Sequence, residues 1–447
     1  MAAGSATVRT ERQSRSATRP AAGRPGTAGP GVRAGPAGRG PLARIRLLAP
    51  IRLLDRPLTS YYLVLGATLL LTMLGLVMVL SASSIRGLRW FSDSFYFVDK
   101  QAIWVGIGLP ILWVASRLPV RAYRALAYPL LLGTLGLLVL VAVPGLGHEV
   151  NGNRNWLVLT DSIRIQPAEF AKLALVIWGA DLIARKQSLK LLGRVRHLFV
   201  PLVPAVLVIV GLVLIGGDLG TAVILVAVLL ALLWFAGTPI RFFALLVTGT
   251  ALAATYFATI DGERVSRLTA FRDPFADMLD TGYQAGQGLY ALASGGVFGV
   301  GLGASRQKWG ALPEPHTDFI FAIIGEELGL VGTLVVLALV VTLAYGGMRI
   351  ALRTSDPFVR LAAAGITSWL MVQSVVNIGA VLGLLPIAGL PLPLVSYGGS
   401  ALLPTLFGLG MLLSFARAEP DARAALAARR PGRLRRLAGR LRGARAG

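Results

Sequence analysis

Residues 311–332 read ALPEPHTDFIFAIIGEELGLVG: a proline-punctuated loop with Glu314, His316 and Asp318 runs straight into an apolar helix that holds Glu326 and Glu327. A carboxylate at a membrane edge is costly to desolvate and is rarely there by accident. Two readings compete for Asp318. With Thr317 beside it, it can cap the helix by satisfying orphan amides of the first turn. Alternatively, it does chemistry at the lip of a helical bundle. The stretch alone leaves the two even.

The rest of the chain supplies the bundle. Of 447 residues 55% are hydrophobic and only 15% charged, where a soluble protein carries about a quarter charged. The apolar residues come in long runs, each near the roughly 20 residues that cross the hydrocarbon. This sets aside a soluble multidomain fold. Ten spans are expected, at 58–82, 101–116, 123–143, 165–185, 199–216, 219–236, 241–260, 319–345, 358–382 and 401–417. The predicted class is an all-α polytopic integral membrane protein with ten transmembrane helices. Its large extracytoplasmic loop, 261–318, joins helices seven and eight, and the ten-helix domain covers 58–417.

An even number of spans puts both ends on one side. Arg117, Arg121 and Arg124, then Arg185, Lys186, Lys190, Arg194 and Arg196, then Arg241, then Arg349 and Arg353 fall with those ends. The positive-inside rule makes that side the cytoplasm. The net charge of +23 is concentrated in the tails, 1–57 and 418–447. Both read as disordered and basic, and their Arg content reads as topological, with contact to anionic lipid in addition and no nucleic-acid partner. No short apolar segment in the first 30 residues marks a cleaved signal. The chain has no cysteine, which excludes disulfides, thiolate–zinc sites and thiol nucleophiles.

The outer loops are then 83–100, 144–164, 261–317 and 383–400. In the third, YQAGQGLYALASGGVFGVGLG reads as a re-entrant or interfacial segment, with Tyr283, Phe298 and Leu302 available to pack. Its glycines permit close backbone approach. No Walker sequence occurs, which argues against ATP-driven transport.

Four more features fall outside. NGNRNWL (151–157) offers a turn, the cation Arg154 and an interfacial Trp156. RIQPAEFAKLAL (164–175) offers Arg164 and places Glu169 and Lys172 three apart, on one helical face. GGDLGTAVIL puts Asp218 at a tight turn, where it also reads as an N-cap. NIGAVLGLLPIAGLPLPLVSYGGS (377–400) breaks a helix after Asn377 with Pro386, Pro391 and Pro393, and holds Ser396, Tyr397 and Ser400 at the outer face. A transporter places its polar groups near the midplane; here most lie at the outer lip. That suits chemistry on an outward-facing, lipid-linked substrate. A hydroxyl nucleophile needs a base, and Asp318, Asp218 and Glu326/Glu327 compete for that role. An anionic pyrophosphate needs cations, and Arg154, Arg164, Lys172, Arg306 and Lys308 are the candidates. No metal-ligand spacing is visible, and a divalent cation sharing that charge stays open.

On QPAEFAKLAL, GDLGTAVIL, the Gly-rich loop, LPEPHTDFIFAIIGEELGLVG and NIG…GLLPIAGLPLPLVSYGGS, in this order over 58–417, the chain resembles the SEDS family of bacterial envelope proteins (shape, elongation, division, sporulation). DRPLTSYYLVLG, SRQKWGALPEPHTDF, SFARAEPDARAAL and the Arg-rich N-terminal extension make it most similar to the division-type members of actinobacteria. The resemblance implies a peptidoglycan glycosyltransferase that polymerises lipid II, with the essential aspartate at Asp318. His316, Arg154, Arg164, Glu169, Lys172, Asp218, Asn377, Ser396 and Ser400 are the candidate lipid II-binding residues, and the implied ligands are lipid II and the nascent glycan strand. A class B penicillin-binding transpeptidase, FtsI-like, and other division proteins are the implied partners. The implied location is the bacterial cell membrane at the septum. Many relatives carry two arginines before the tryptophan of the second outer loop; here Arg154 is followed by Asn155, and Pro315 stands for a common Ala. A lipid II flippase, whose polar path Glu169, Lys172 and Asn377 would line, a non-catalytic scaffold and the elongation-type paralogue are the alternatives.

Overall fold

A computed structural model describes residues 56–150, 153–160, 163–190, 199–260, 271, 273–280 and 282–429. Most of the N-terminal tail, Asn151 and Gly152 of the second outer loop, Arg194, Arg196 and the chain beyond 429 lie outside the described residues.

Each expected span has its helix: α1 (Thr59–Phe91), α2 (Tyr96–Ala115), α3 (Val120–Ala142), α4 (Pro167–Ser188), α5 (Leu202–Ile215), α6 (Leu219–Phe235), α7 (Ile240–Ile260), α9 (Ile320–Arg353), α10 (Pro357–Val381) and α11 (Gly399–Ala418). Between α7 and α9 lies α8 (Tyr283–Gly295), and α12 (Pro420–Arg429) follows α11. Six of these, α1, α2, α3, α9, α10 and α11, are long and apolar enough to cross a membrane. The helix α4 carries buried Glu169, Lys172 and Asp181, and α5 to α7 are shorter apolar helices.

Three expectations are corrected. The fold is not purely helical: β1 (Gly147–Val150), β2 (Asn153–Thr160) and β3 (Ile163–Ile165) form an antiparallel sheet in the order β1-β2-β3. In it Glu149 faces Arg154, and Val158 faces Arg164. The alternation that marks a strand is hidden here because the segment is short and rich in polar residues. Second, the start of the C-terminal tail is the helix α12 rather than a disordered strand of chain. Third, Phe298 and Leu302 of the Gly-rich loop are exposed instead of packed.

The helix α1 also outruns its predicted end by nine residues. Its polar last turns find partners inside the protein: Ser81 Oγ donates to the Glu327 carboxylate at 2.6 and 2.7 Å, and Arg86 pairs with Glu314 at 3.3 Å. The core gathers around α4 and α10, which pack against each other and against α6. From Pro167 to Ala184 every residue of α4 except the half-buried Phe170 is buried. Trp369, Phe319, Phe321, Phe358 and Phe415 are among the largest fully buried side chains.

A break inside α9 organises the large loop. Gly329 has φ 67° and ψ −162°, a region essentially reserved for glycine. The break frees backbone groups that must be satisfied away from water. The Gly-rich loop supplies them: Val300 N donates to Glu326 O at 2.9 Å and Gly301 N to Glu327 O at 3.1 Å. Leu330 N and Val331 N donate to Gly296 O and Val297 O, at 3.0 and 3.2 Å. A Cβ at Gly295, Gly299 or Gly329 would strike the facing backbone.

Below this joint sits an ionic lock. Glu326 accepts from Ser305 Oγ and from Arg306 N (2.8 Å), while Glu327 pairs with Lys308 at 3.2 Å and accepts from Ser81. Both carboxylates and Lys308 are buried. Lys308 matches the charge of Glu327, and the neutral donors Ser305 Oγ and Arg306 N satisfy Glu326. Gly329→Ala is expected to cost about 1–3 kcal/mol from strain alone, read as a lowered thermal midpoint of the detergent-solubilised protein. An unchanged midpoint would show that the joint is not strained.

Candidate active site

The segment 316–318 is held at three consecutive carbonyls. Tyr397 N donates to His316 O at 2.9 Å, Ser396 Oγ to Thr317 O at 2.6 Å, and Asn377 Nδ2 to Asp318 O at 2.8 Å. The donors come from the end of α10 and from the proline-broken segment 382–398. That segment cannot continue α10 because Pro386, Pro391 and Pro393 lack amide donors and hold their own φ. It is fastened in turn: Asn377 Nδ2 also donates to Leu390 O at 2.7 Å, and Leu392 N to Ser396 Oγ at 2.8 Å.

The N-cap of α9 is Phe319, which makes no side-chain cap hydrogen bond, so Asp318 stands one residue before the N-cap position. A small cleft is lined by Asp318, Phe319, Val376, Asn377 and the segment Ile387–Leu390. Gly389 (φ 64°) forms its floor, and a Cβ there would sit 3.8 Å from Asp318 Oδ2.

His316 is enclosed by rings. Its centroid lies 4.7 Å from Phe97 and 5.4 Å from Tyr397, and Phe97 and Tyr397 meet edge to face at 5.5 Å. The imidazole is buried, and Nδ1 has no hydrogen-bond partner. Burial pushes its pKa down from 6.5 to about 4; Glu314 pulls it up and Arg86 adds to the fall. The ring is therefore neutral at physiological pH. Burial, reinforced by Tyr96, pushes the Tyr397 phenol up to about 12, with Arg164 acting in the opposite sense.

The remaining predicted residues sort by environment. Glu169 and Lys172 form a buried ion pair at 2.7 Å. Lys172 also donates to Gln373 Oε1 at 2.9 Å and lies 5.5 Å from the Trp369 ring centre. Gln373 Nε2 donates to Pro391 O at 2.9 Å. The pair is thus a strut under the segment that holds Asp318, closed to lipid and to solvent. Asp218 caps α6, accepting from Thr221 N at 2.8 Å and from Gln166 Nε2 at 2.9 Å. Ser400 Oγ accepts from Gln166 N at 2.8 Å. Arg154 and Asp218 line a second small cleft with Asn155, Pro167 and Leu138. Glu326 and Glu327, once rivals for the role of base, are spent on the α9 joint. Lys308 is spent with them.

Sequence reading missed the glutamines. Gln101 Oε1 accepts from Gly398 N at 3.1 Å, and its Nε2 reaches Ser396 O at 3.4 Å. Gln101 and Gln373 thus fasten the proline-broken segment to α2 and α10, while Gln166 joins the start of α4 to Asp218 by its side chain and to Ser400 of α11 by its backbone. Their signal was a lone amide within or beside an apolar run, where an unpaired polar group is expensive.

Comparison with known proteins places these features in context. Residues 61–420 match the family model FtsW/RodA/SpoVE, described as cell cycle protein. The probable peptidoglycan glycosyltransferase FtsW of Mycobacterium tuberculosis is 44% identical over 384 residues, covering 86% of this chain and 73% of the relative. Stage V sporulation protein E of Bacillus subtilis is 39% identical over 357 residues, with 78% and 95% covered. Among solved structures, a chain of a peptidoglycan synthase complex, studied for the structural coordination of polymerization and crosslinking, superposes with a TM-score of 0.65 at 30% identity, covering 82% of this chain and 98% of that one. The rod shape determining protein RodA of Thermus thermophilus gives 0.58 at 28% identity, covering 83% and 99%.

Two outcomes follow for stability. The unfolded imidazole protonates near pH 6.5 and the folded one near 4, so the unfolded chain binds more protons in between. The contribution of His316 is complete above pH 6.5 and drains away as pH falls through 4. Between pH 7.5 and 4.5, His316→Gln should lose less thermal stability than the parent; an identical loss would place the titration elsewhere. Lys172→Met strands a buried carboxylate and should cost about 3–5 kcal/mol. The double variant with Glu169→Gln should recover much of it, as measured by thermal denaturation in detergent.

Proposed function

From the premise that this chain belongs to the FtsW/RodA/SpoVE family of cell cycle proteins, we propose that it is the peptidoglycan glycosyltransferase that polymerises lipid II during cell division, with Asp318 as its general base. The observation that carries the assignment is the clamp on residues 316–318. Three donors fix the backbone on which the Asp318 side chain stands, beside a cleft floored by a glycine. Rigid placement of a reacting group is what turns a weak base into an effective one.

In this mechanism the Asp318 carboxylate takes the proton of the acceptor sugar 4-hydroxyl. The oxygen attacks the anomeric carbon of the growing glycan. The bond from that carbon to the phosphate oxygen breaks, and undecaprenyl pyrophosphate leaves with the electron pair. The leaving group is already activated, consistent with a chain that has no Walker sequence. Among the described residues no three His, Asp or Glu side chains converge to hold a metal. Arg154 and Arg164 remain as cations at this end of the bundle. Lys172 acts instead as a strut, with its charge matched by Glu169.

Ten helices cross the membrane in this reading: the six long apolar ones, the three shorter ones and α4, whose charges are paired inside the bundle. The domain 58–417 is the catalytic unit, and the 261–318 loop with the Asp318 end faces outward. Both basic tails lie in the cytoplasm, and the protein works at the septum. A class B penicillin-binding transpeptidase is its partner, supported by the synthase complex to which the fold is similar.

Base catalysis contributes about 10²–10⁴-fold. Asp318→Asn should therefore keep its thermal midpoint and lose polymer formation by that factor, when the purified protein with its transpeptidase is given labelled lipid II. Normal glycan strands from this variant would overturn the assignment.

A further inference from the structure

The turn that carries Asp318 starts from a residue in an unfavourable conformation. Glu314 has φ 49°, on the left-handed side of the backbone map, which is costly for a residue with a Cβ. The next residue makes this worse. Pro315 follows, and a proline ring pushes the residue before it towards extended backbone with negative φ. Glu314 closes the turn all the same. Its carbonyl accepts from Thr317 N at 3.4 Å and from Phe319 N at 3.3 Å, the amides of the residues on either side of Asp318. Its carboxylate accepts from Thr317 Oγ1 at 2.9 Å. The clamp from 377–397 holds the carbonyls of 316–318, and Glu314 holds the amides that flank the aspartate.

A distant helix reaches Glu314. Arg86 lies in the last turns of α1, past the expected end of that span, and its Nη1 pairs with Glu314 Oε1 at 3.3 Å. Trp90, one helical turn further on, covers the guanidinium with its ring centre 4.3 Å away. The two paired side chains are 22% and 36% exposed, so the bridge is of the modest kind. What it contributes and what a left-handed residue costs are of the same order. The bridge therefore decides how fully the turn is populated.

We propose that Arg86 and Glu314 are a positioning pair for the general base: the bridge holds Glu314 in the conformation that Pro315 opposes, and the turn closed by Glu314 fixes where Asp318 stands. The pair deepens the proposed function and rests on it for the role of Asp318. Neither side chain touches the reacting atoms. Both act through the backbone, where a small misplacement of the base is expensive in rate. The added turns of α1 thus link the first helix to the catalytic loop.

Hydrogen exchange reads the turn without turnover. In the full-length protein in nanodiscs, the Thr317 and Phe319 amides of Arg86→Gln should exchange about fivefold faster than in the parent, the size expected of a part-exposed ion pair. Arg86→Lys keeps the charge and should stay close to the parent. Pro315→Ala removes the ring that opposes the turn, so adding Arg86→Gln to it should change exchange much less. Glycine takes positive φ without strain, so Glu314→Gly should exchange more slowly than Glu314→Ala. Polymerisation of lipid II should follow: kcat lower by the same factor in Arg86→Gln with KM unchanged, and the loss smaller in the Pro315→Ala background. Rescue by Pro315→Ala is what neither a packing role nor a direct charge on substrate predicts. Unchanged exchange in Arg86→Gln, an equal effect in both backgrounds, faster exchange with unaltered kcat, or a loss confined to KM each overturns the pair. Inactive Asp318→Asn with unchanged exchange in Arg86→Gln would sink the pair and leave the function. Polymer from Asp318→Asn would sink the function and with it the positioning role, while faster exchange in Arg86→Gln would still establish the bridge as the support of the turn.

Discussion

A backbone that stops being helical inside an apolar bundle must find partners for every amide and carbonyl it frees, because no water is there to take them. The end of this bundle that carries Asp318 is built to that constraint. The helix breaks twice, once at Gly329 within α9 and once after α10, and each break is repaired by a neighbouring segment. At the first, the Gly-rich loop donates and accepts along 326–331. At the second, Asn377, Gln101, Gln373 and Ser396 are side-chain partners for the irregular stretch. The repairs are also what hold residues 316–318. Site geometry and backbone satisfaction are therefore one problem with one solution.

Buried charge follows the same rule. Glu169 with Lys172, Glu327 with Lys308 and Asp181 with Arg124 and Arg185 are each matched within the protein. Paired charges of this kind contribute little net stability, but losing one partner is expensive. They fix which helix faces meet. Asp181 joins α3 to α4 at the opposite end of α4 from Glu169, so one helix is pinned to its neighbours at both ends.

Much of this was legible in the chain. Apolar runs of membrane length predicted the position of each of these helices, though α1 and α9 run eight or nine residues past their expected ends, since desolvation dominates and is local to sequence. The capping role of Asp218 was legible too, because a carboxylate before a helix start has one common use. Less visible was which polar residue would serve structure and which chemistry. Lys172, Lys308, Glu326 and Glu327 look as available in the sequence as Arg164 and Asp318. What separates them is a partner distant in sequence: Gln373 for Lys172, Ser81 for Glu327.

The sequence by itself determined the membrane-embedded helical class, the order of the helices and the stretch holding the aspartate. These depend on the hydrophobicity and backbone chemistry of consecutive residues. Only the tertiary structure decided that Phe319 rather than Asp318 is the N-cap of α9, that strands at 147–150, 153–160 and 163–165 form a sheet, and that three donors from 377 to 397 fix 316–318. Those outcomes turn on contacts between residues many positions apart, where the cost of an unpaired buried group selects a partner that no local pattern announces.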